Sequence, residues 1–278
     1  MPRPRPVVTA PRPLPRPPAT SAAWCAHFRA SAALPATVPW ESGVRLTASE
    51  RRAVAASIQE FQVGESSEGR HLHAAARAYA ARTGDRAYVA AIEAFIREEQ
   101  RHARDLGRFM DGEGIPRRRR SWPDVVFRAL RRGAPLETTV AVLLTAELIA
   151  QVYYAALREA TRSPVLRALC ERILRDEAAH VRFQAERLAV LRAGRSPARV
   201  RGALAAQRAL FAGAVLVVWW GHRSALARGG LSLGGYWRAC WGRFADTAAM
   251  MATPVAHGKH EARSTGGQPP AASRRALG

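Results

Sequence analysis

Lysine is nearly missing from this chain. Of its 43 basic residues one is Lys259 and the rest are arginines, against 22 acids, for a formal net charge of +21 in 278 residues. The excess is not confined to the ends: the first 40 residues hold five arginines and no acid, yet the middle is basic too. Nucleic acid, lipid head groups and acidic proteins are all allowed as partners, and a biased composition accounts for the skew equally well. Cysteine is scarce. Cys25, Cys170 and Cys240 form no CxxC pair, which excludes a disulfide scaffold, a four-cysteine zinc site and a rubredoxin-type iron centre. That usage suits a reducing compartment, and a cytoplasmic location is expected. Long hydrophobic runs are also missing. The most apolar one, Leu210 to Trp220, is bounded by Arg208 and His222-Arg223 and falls short of the roughly 20 residues that cross a bilayer. No secretory apolar stretch opens the chain, which begins MPRPRPVVTAPRPLPRPP and reads as an extended, solvated leader. No run alternates with the strand period.

What is present is helical. Hydrophobic residues make up 48% of the chain, enough for a sizeable core. Residues 23–46 carry no clear pattern. A capping box at Thr47-Ala-Ser-Glu50 starts a first helix, whose apolar spacing runs through Val54, Ile58, Phe61, Leu72 and Tyr79 to a break at Thr83-Gly84-Asp85. Asp85 caps a second helix with Ile92, Phe95, Leu106 and Phe109 on one face. Gly112 to Pro116 ends it. A long connection follows, with Arg117 to Arg120 and a short helix expected around Val125–Arg131. A third helix is expected from Pro135 to about Glu159. Ser163-Pro164 and Ser196-Pro197 each pair a cap with a first-turn proline and start a fourth and a fifth, and a sixth is expected over Leu233–Met251. The pattern predicts an all-α fold: a four-helix bundle with one long crossover plus two extra C-terminal helices. The expected division is a disordered leader over 1–22, the bundle over 47–193, a helical extension over 197–251 and a disordered tail over 252–278.

Two short motifs carry chemistry. The second helix contains Glu98-Glu99-Gln100-Arg101-His102 and the fourth contains Asp176-Glu177-Ala178-Ala179-His180. The spacing puts Glu99 with His102, and Glu177 with His180, on one helix face, and both pairs fall on apolar stripes. The first and third helices each add one inward acid. Glu65 follows Phe61 by four residues, and Glu147 lies in the otherwise uncharged AVLLTAELIAQVYY. An unpartnered buried carboxylate costs several kcal/mol, so four glutamates and two histidines on core-facing stripes point to bound metal. Glu68 shares the stripe of Glu65 and is an extra candidate ligand. His71, three residues further, falls off it. Glu98 and Asp176, each preceding a ligand glutamate, can hold a ligand histidine by its second nitrogen. Tyr153, Tyr154 and Trp40 are candidates for redox or pocket roles, with ordinary core packing the expected one.

Over about residues 48–192 this arrangement resembles the ferritin-like di-iron carboxylate superfamily. The resemblance implies two iron or manganese ions, with Glu65, Glu99 and His102 on one, Glu147, Glu177 and His180 on the other, and Glu99 and Glu177 bridging. The Glu-Glu-Gln-Arg-His string is also similar to the Glu-Glu-x-Arg-His string of soluble acyl-carrier-protein desaturases, and Asp-Glu-Ala-Ala-His keeps their Asp-Glu-x-x-His frame. The resemblance sets the expectation of an O2-dependent oxidoreductase that hydroxylates or desaturates a small or carrier-borne substrate with an external electron donor. Alternatives are an iron-handling ferroxidase and a tRNA-modifying hydroxylase. Acyl carrier protein, tRNA and lipid head groups are the anionic partners that would use a basic surface. The Trp-rich C-terminal helices could cover a pocket, lie on a membrane or pair two copies as a homodimer.

Overall fold

The computed structural model describes residues 20–34, 38–43, 45–66, 69–118, 129 and 133–252. The described residues form eight α-helices and no strand: α1 Ser21–Ala33, α2 Ala48–Glu65, α3 Arg70–Thr83, α4 Arg86–Glu113, α5 Leu136–Ala160, α6 Pro164–Arg192, α7 Pro197–Arg228 and α8 Leu233–Ala252. The fold is an all-helical bundle. Residues 1–19 of the expected leader, the short helix around 125–131 apart from Ala129, Glu68 and the tail from 253 lie outside the described residues.

Local chemistry sets most helix starts. Thr47 and Glu50 make the full capping box, and Glu50 also accepts from the backbone N–H of Arg162 at 2.8 Å, tying the start of α2 to the α5–α6 turn. Asp85 accepts from the Tyr88 N–H. Ser163 and Ser196 cap α6 and α7 ahead of their prolines. Three expectations need correction. The expected leader ran to residue 22, but Thr20 caps a helix that starts at Ser21. The single first helix is two, α2 and α3, separated around Gly69, whose φ of +63° is left-handed and favours glycine. Pro135 stands just outside α5 as its N-cap, in extended backbone, rather than in the first turn.

The helices α2, α4, α5 and α6 supply the acids and histidines of the two motifs and their partner helices, and the other four lie around them. α5 packs most closely on α6 and α7, α1 and α3 lie against α4, and α8 closes over α5, α6 and α7. α5 is the central helix, with Leu144, Leu148, Tyr153, Tyr154 and Leu157 all buried. The end of α7 meets α5 at Gly229, where a Cβ would collide with the backbone of Ala156. α1, which the sequence pattern does not announce, seals one side. Phe28 packs on Phe95, Phe183 and the ring of His180, and the Trp24 indole N–H donates to Glu186 at 2.8 Å.

Among the described residues, two helices are long and apolar enough, by length and composition, to cross a membrane: α5 and α7. Counting uninterrupted apolar runs misses both, whereas a long apolar window tolerates Arg208. The apolar window of α5 is 83% buried, as befits a core helix, and that of α7 only 28%.

Candidate metal centre

Glu65 is the last residue of α2, Glu99 and His102 lie mid-way along α4, Glu147 on α5, and Glu177 and His180 on α6. The structure brings all six together. Glu65, Glu99, His102 and Glu177 form one group whose ligand atoms all lie within 4.8 Å of one another; Glu99, Glu147, Glu177 and His180 form a second. Either group could hold a metal ion, and Glu99 and Glu177 belong to both. His71 is exposed.

The histidines are held crosswise. His102 of α4 places Nε2 3.0 Å from Asp176 of α6, and His180 of α6 places Nε2 3.0 Å from Glu98 of α4. Arg101 bonds both acids, donating to Glu98 at 3.1 Å and to Asp176 at 2.9 Å. Each imidazole thereby turns Nδ1 to the centre: His102 Nδ1 is 3.7 Å from Glu65 and 3.8 Å from Glu177, and His180 Nδ1 is 2.9 Å from Glu99, off the hydrogen-bond line. A carboxylate fixing the remote nitrogen of a histidine is what a metal ligand requires of its surroundings. It also gives a reason for the Glu-Glu-x-Arg-His spacing: the first Glu braces the opposite histidine and the Arg ties the two braces.

The donor set fits a metal cation. Glu99 Oε1, both oxygens of Glu177, His102 Nδ1 and His180 Nδ1 are buried without a hydrogen-bond partner, and buried polar atoms are ordinarily paired. Electrostatics agree. Burial, then the nearby Glu147 and Glu65, push the Glu99 carboxyl up to about 8. Burial and Glu147 hold Glu177 well above the ordinary range. Burial would lower His102, but hydrogen bonding to Asp176 and the nearness of Glu65 outweigh it and raise the imidazole to about 10. Burial would likewise raise Asp176, and His102 beside it brings the acid down instead. Such crowding of carboxylates calls for positive charge at the middle.

Three further side chains support the centre, and of these the sequence singled out only Tyr154. The Tyr154 hydroxyl donates to Glu65 Oε1 at 2.6 Å, the Gln184 amide donates to Glu147 Oε1 at 2.9 Å, and the Gln151 amide donates to the Glu177 carbonyl at 3.1 Å. Tyr154, expected as plain packing, touches a candidate ligand. Tyr153 takes a different path. Its ring stacks on Phe61 at 3.4 Å, and Ser57 Oγ donates to its hydroxyl at 2.9 Å while lying 2.8 Å from His222 Nδ1. Trp40 is half-buried under the Arg108 guanidinium, 4.1 Å from the ring centre. Comparison with protein-family models, curated proteins and solved structures gives no match, so the geometry of the centre carries the functional argument.

Proposed function

We propose that the chain is a di-iron carboxylate oxidoreductase of the ferritin-like kind, acting on an organic substrate with dioxygen; manganese is the other metal its donors suit. The observation that carries this reading is the pair of four-residue groups sharing Glu99 and Glu177. Two glutamates common to both groups suit two neighbouring cations, and the outer members, Glu65 with His102 and Glu147 with His180, suit one cation each. Bound there, the metal pair would supply redox equivalents and the activation of dioxygen.

The chain supplies position and exclusion. Asp176 and Glu98 set the tautomer of His102 and His180 and keep Nδ1 aimed inward. Tyr154 and Gln184 each hold one oxygen of Glu65 and Glu147, leaving the other for a cation. Phe28 and Phe95 pack on His180 and keep water from that side. Glu99 is the most exposed of the four acids, with 17% of its side chain exposed.

Metal analysis combined with oxygen consumption tests the reading. Expected are about two irons per chain, matching the two overlapping groups, and oxygen uptake that rises when a fatty acyl thioester or another organic substrate is added. Rapid Fe2+ oxidation that needs no organic substrate would assign the protein to iron handling instead. Protein that takes up no transition metal would end the proposal.

A further inference from the structure

The C-terminal hairpin carries a surface that the metal centre does not use. Leu216, Trp220 and Leu233 are 42%, 64% and 41% exposed, three of the four large hydrophobics exposed among the described residues. Ala209, Gly213, Leu216 and Trp220 succeed one another at three- and four-residue steps, so they share one exposed face of α7. The Trp219 and Tyr236 rings, 5.8 Å apart, hold the first turn of α8 against α7, and Leu233 opens that turn. Exposed arginines border the face: Arg201 and Arg208 along one side and Arg223 near its end, with the Arg223 guanidinium 5.6 Å from the Trp220 ring. α7 contains no acid, and residues 197–252 hold seven arginines to one acid, Asp246.

We propose that this face of α7 with the first turn of α8 docks on an anionic lipid surface. An exposed tryptophan and leucines enter the head-group boundary while flanking arginines meet lipid phosphate. The charge selects this occupant over a second copy of the chain. A two-fold pairing sets the same patch against itself, so the arginines of both copies would meet with no acid on α7 to answer them, and like charges across an interface are unfavourable. The inference uses no feature of the metal centre and stands or falls apart from it.

The full chain is sedimented with vesicles of phosphatidylcholine alone and of phosphatidylcholine mixed with phosphatidylglycerol. Binding at least about tenfold tighter to the anionic vesicles is expected. A double variant, Leu216→Ser with Trp220→Ser, should lose most of that binding, with circular dichroism and melting temperature unchanged because both side chains are exposed. A variant that binds as well as the parent would mean that net charge alone holds the lipid, and would overturn the docking face. Equal binding to neutral and anionic vesicles would overturn it too. So would a dimer in light scattering that the double variant dissociates, since the face would then belong to a second copy.

Discussion

At the residue scale, the four carboxylates and two imidazoles of the centre are a stability problem that a bound metal ion would relieve. Glu177 keeps two buried oxygens without a hydrogen bond. Replacing Glu177 by Gln should raise the stability of metal-free protein by about 1 kcal/mol or more and cancel the stabilisation that added metal gives; thermal melts with and without iron measure both. Asp176→Asn leaves the ligands in place but loosens the grip on His102, so metal affinity should fall about 10–100-fold in a competition titration while the fold persists. His222 permits a pH prediction. Burial lowers its pKa from 6.5 to about 4, so the folded state favours the neutral ring. The stability it contributes is fully present above pH 6.5 and is lost as the pH falls toward 4, by about 2–3 kcal/mol at pH 4.5. Glu60, 3.6 Å from the other ring nitrogen, is the nearby acid that would soften this. Denaturant melts at pH 7 and 4.5 should show a smaller difference in His222→Gln than in the parent. The six central residues were legible because two acid–histidine pairs at a three-residue spacing and two lone acids, all on apolar stripes, are costly without a purpose. Gln151 and Gln184 were not, and Tyr154 was named as a candidate but expected to pack, because neutral polar residues in a helix core are common and declare their partner only in three dimensions.

At the element scale, the starts of α2, α4, α6 and α7 were legible and helix packing was not. Thr47, Asp85, Ser163 and Ser196 are short polar side chains, the two serines followed by a proline suited to the first turn, and each caps as its chemistry dictates. Thr47→Ala removes the hydroxyl that accepts from Glu50 N–H and should cost about 1 kcal/mol in a denaturant melt. The separation of α2 from α3 was hidden because the apolar spacing continues from Phe61 to Leu72 across it, and one glycine is a weak stop. α1 was hidden for a different reason. Its stretch SAAWCAHFRASAA is mostly small residues with only Trp24, Cys25 and Phe28 to bury, too few for a helical stripe to stand out. Its worth lies in contact with α4 and α6. Phe28→Ala should destabilise by about 3–5 kcal/mol in a denaturant melt, more than any change at an exposed position of the same helix.

At the scale of the whole molecule, the all-helical class was readable because no segment alternates with the strand period. The order of packing around α5 was not, since it depends on pairings between distant helices. A metal ion held by residues from four helices would be a ligand of the folded state alone. At a free metal concentration about 100 times the dissociation constant, one site adds about 2.7 kcal/mol. Stripping the protein with a chelator should therefore lower its melting temperature by several degrees, and returning iron should restore it.

The crosswise bracing of the histidines reaches beyond the centre itself. Each hairpin of the bundle carries its own glutamate and histidine but borrows from the other the acid that steadies the ring. A fragment ending after α4 would possess three of the six donors with an untethered imidazole, and a fragment starting at α5 would fare no better. Neither half alone holds both an imidazole and the acid that braces it, so any change to one brace should be felt through the neighbouring hairpin.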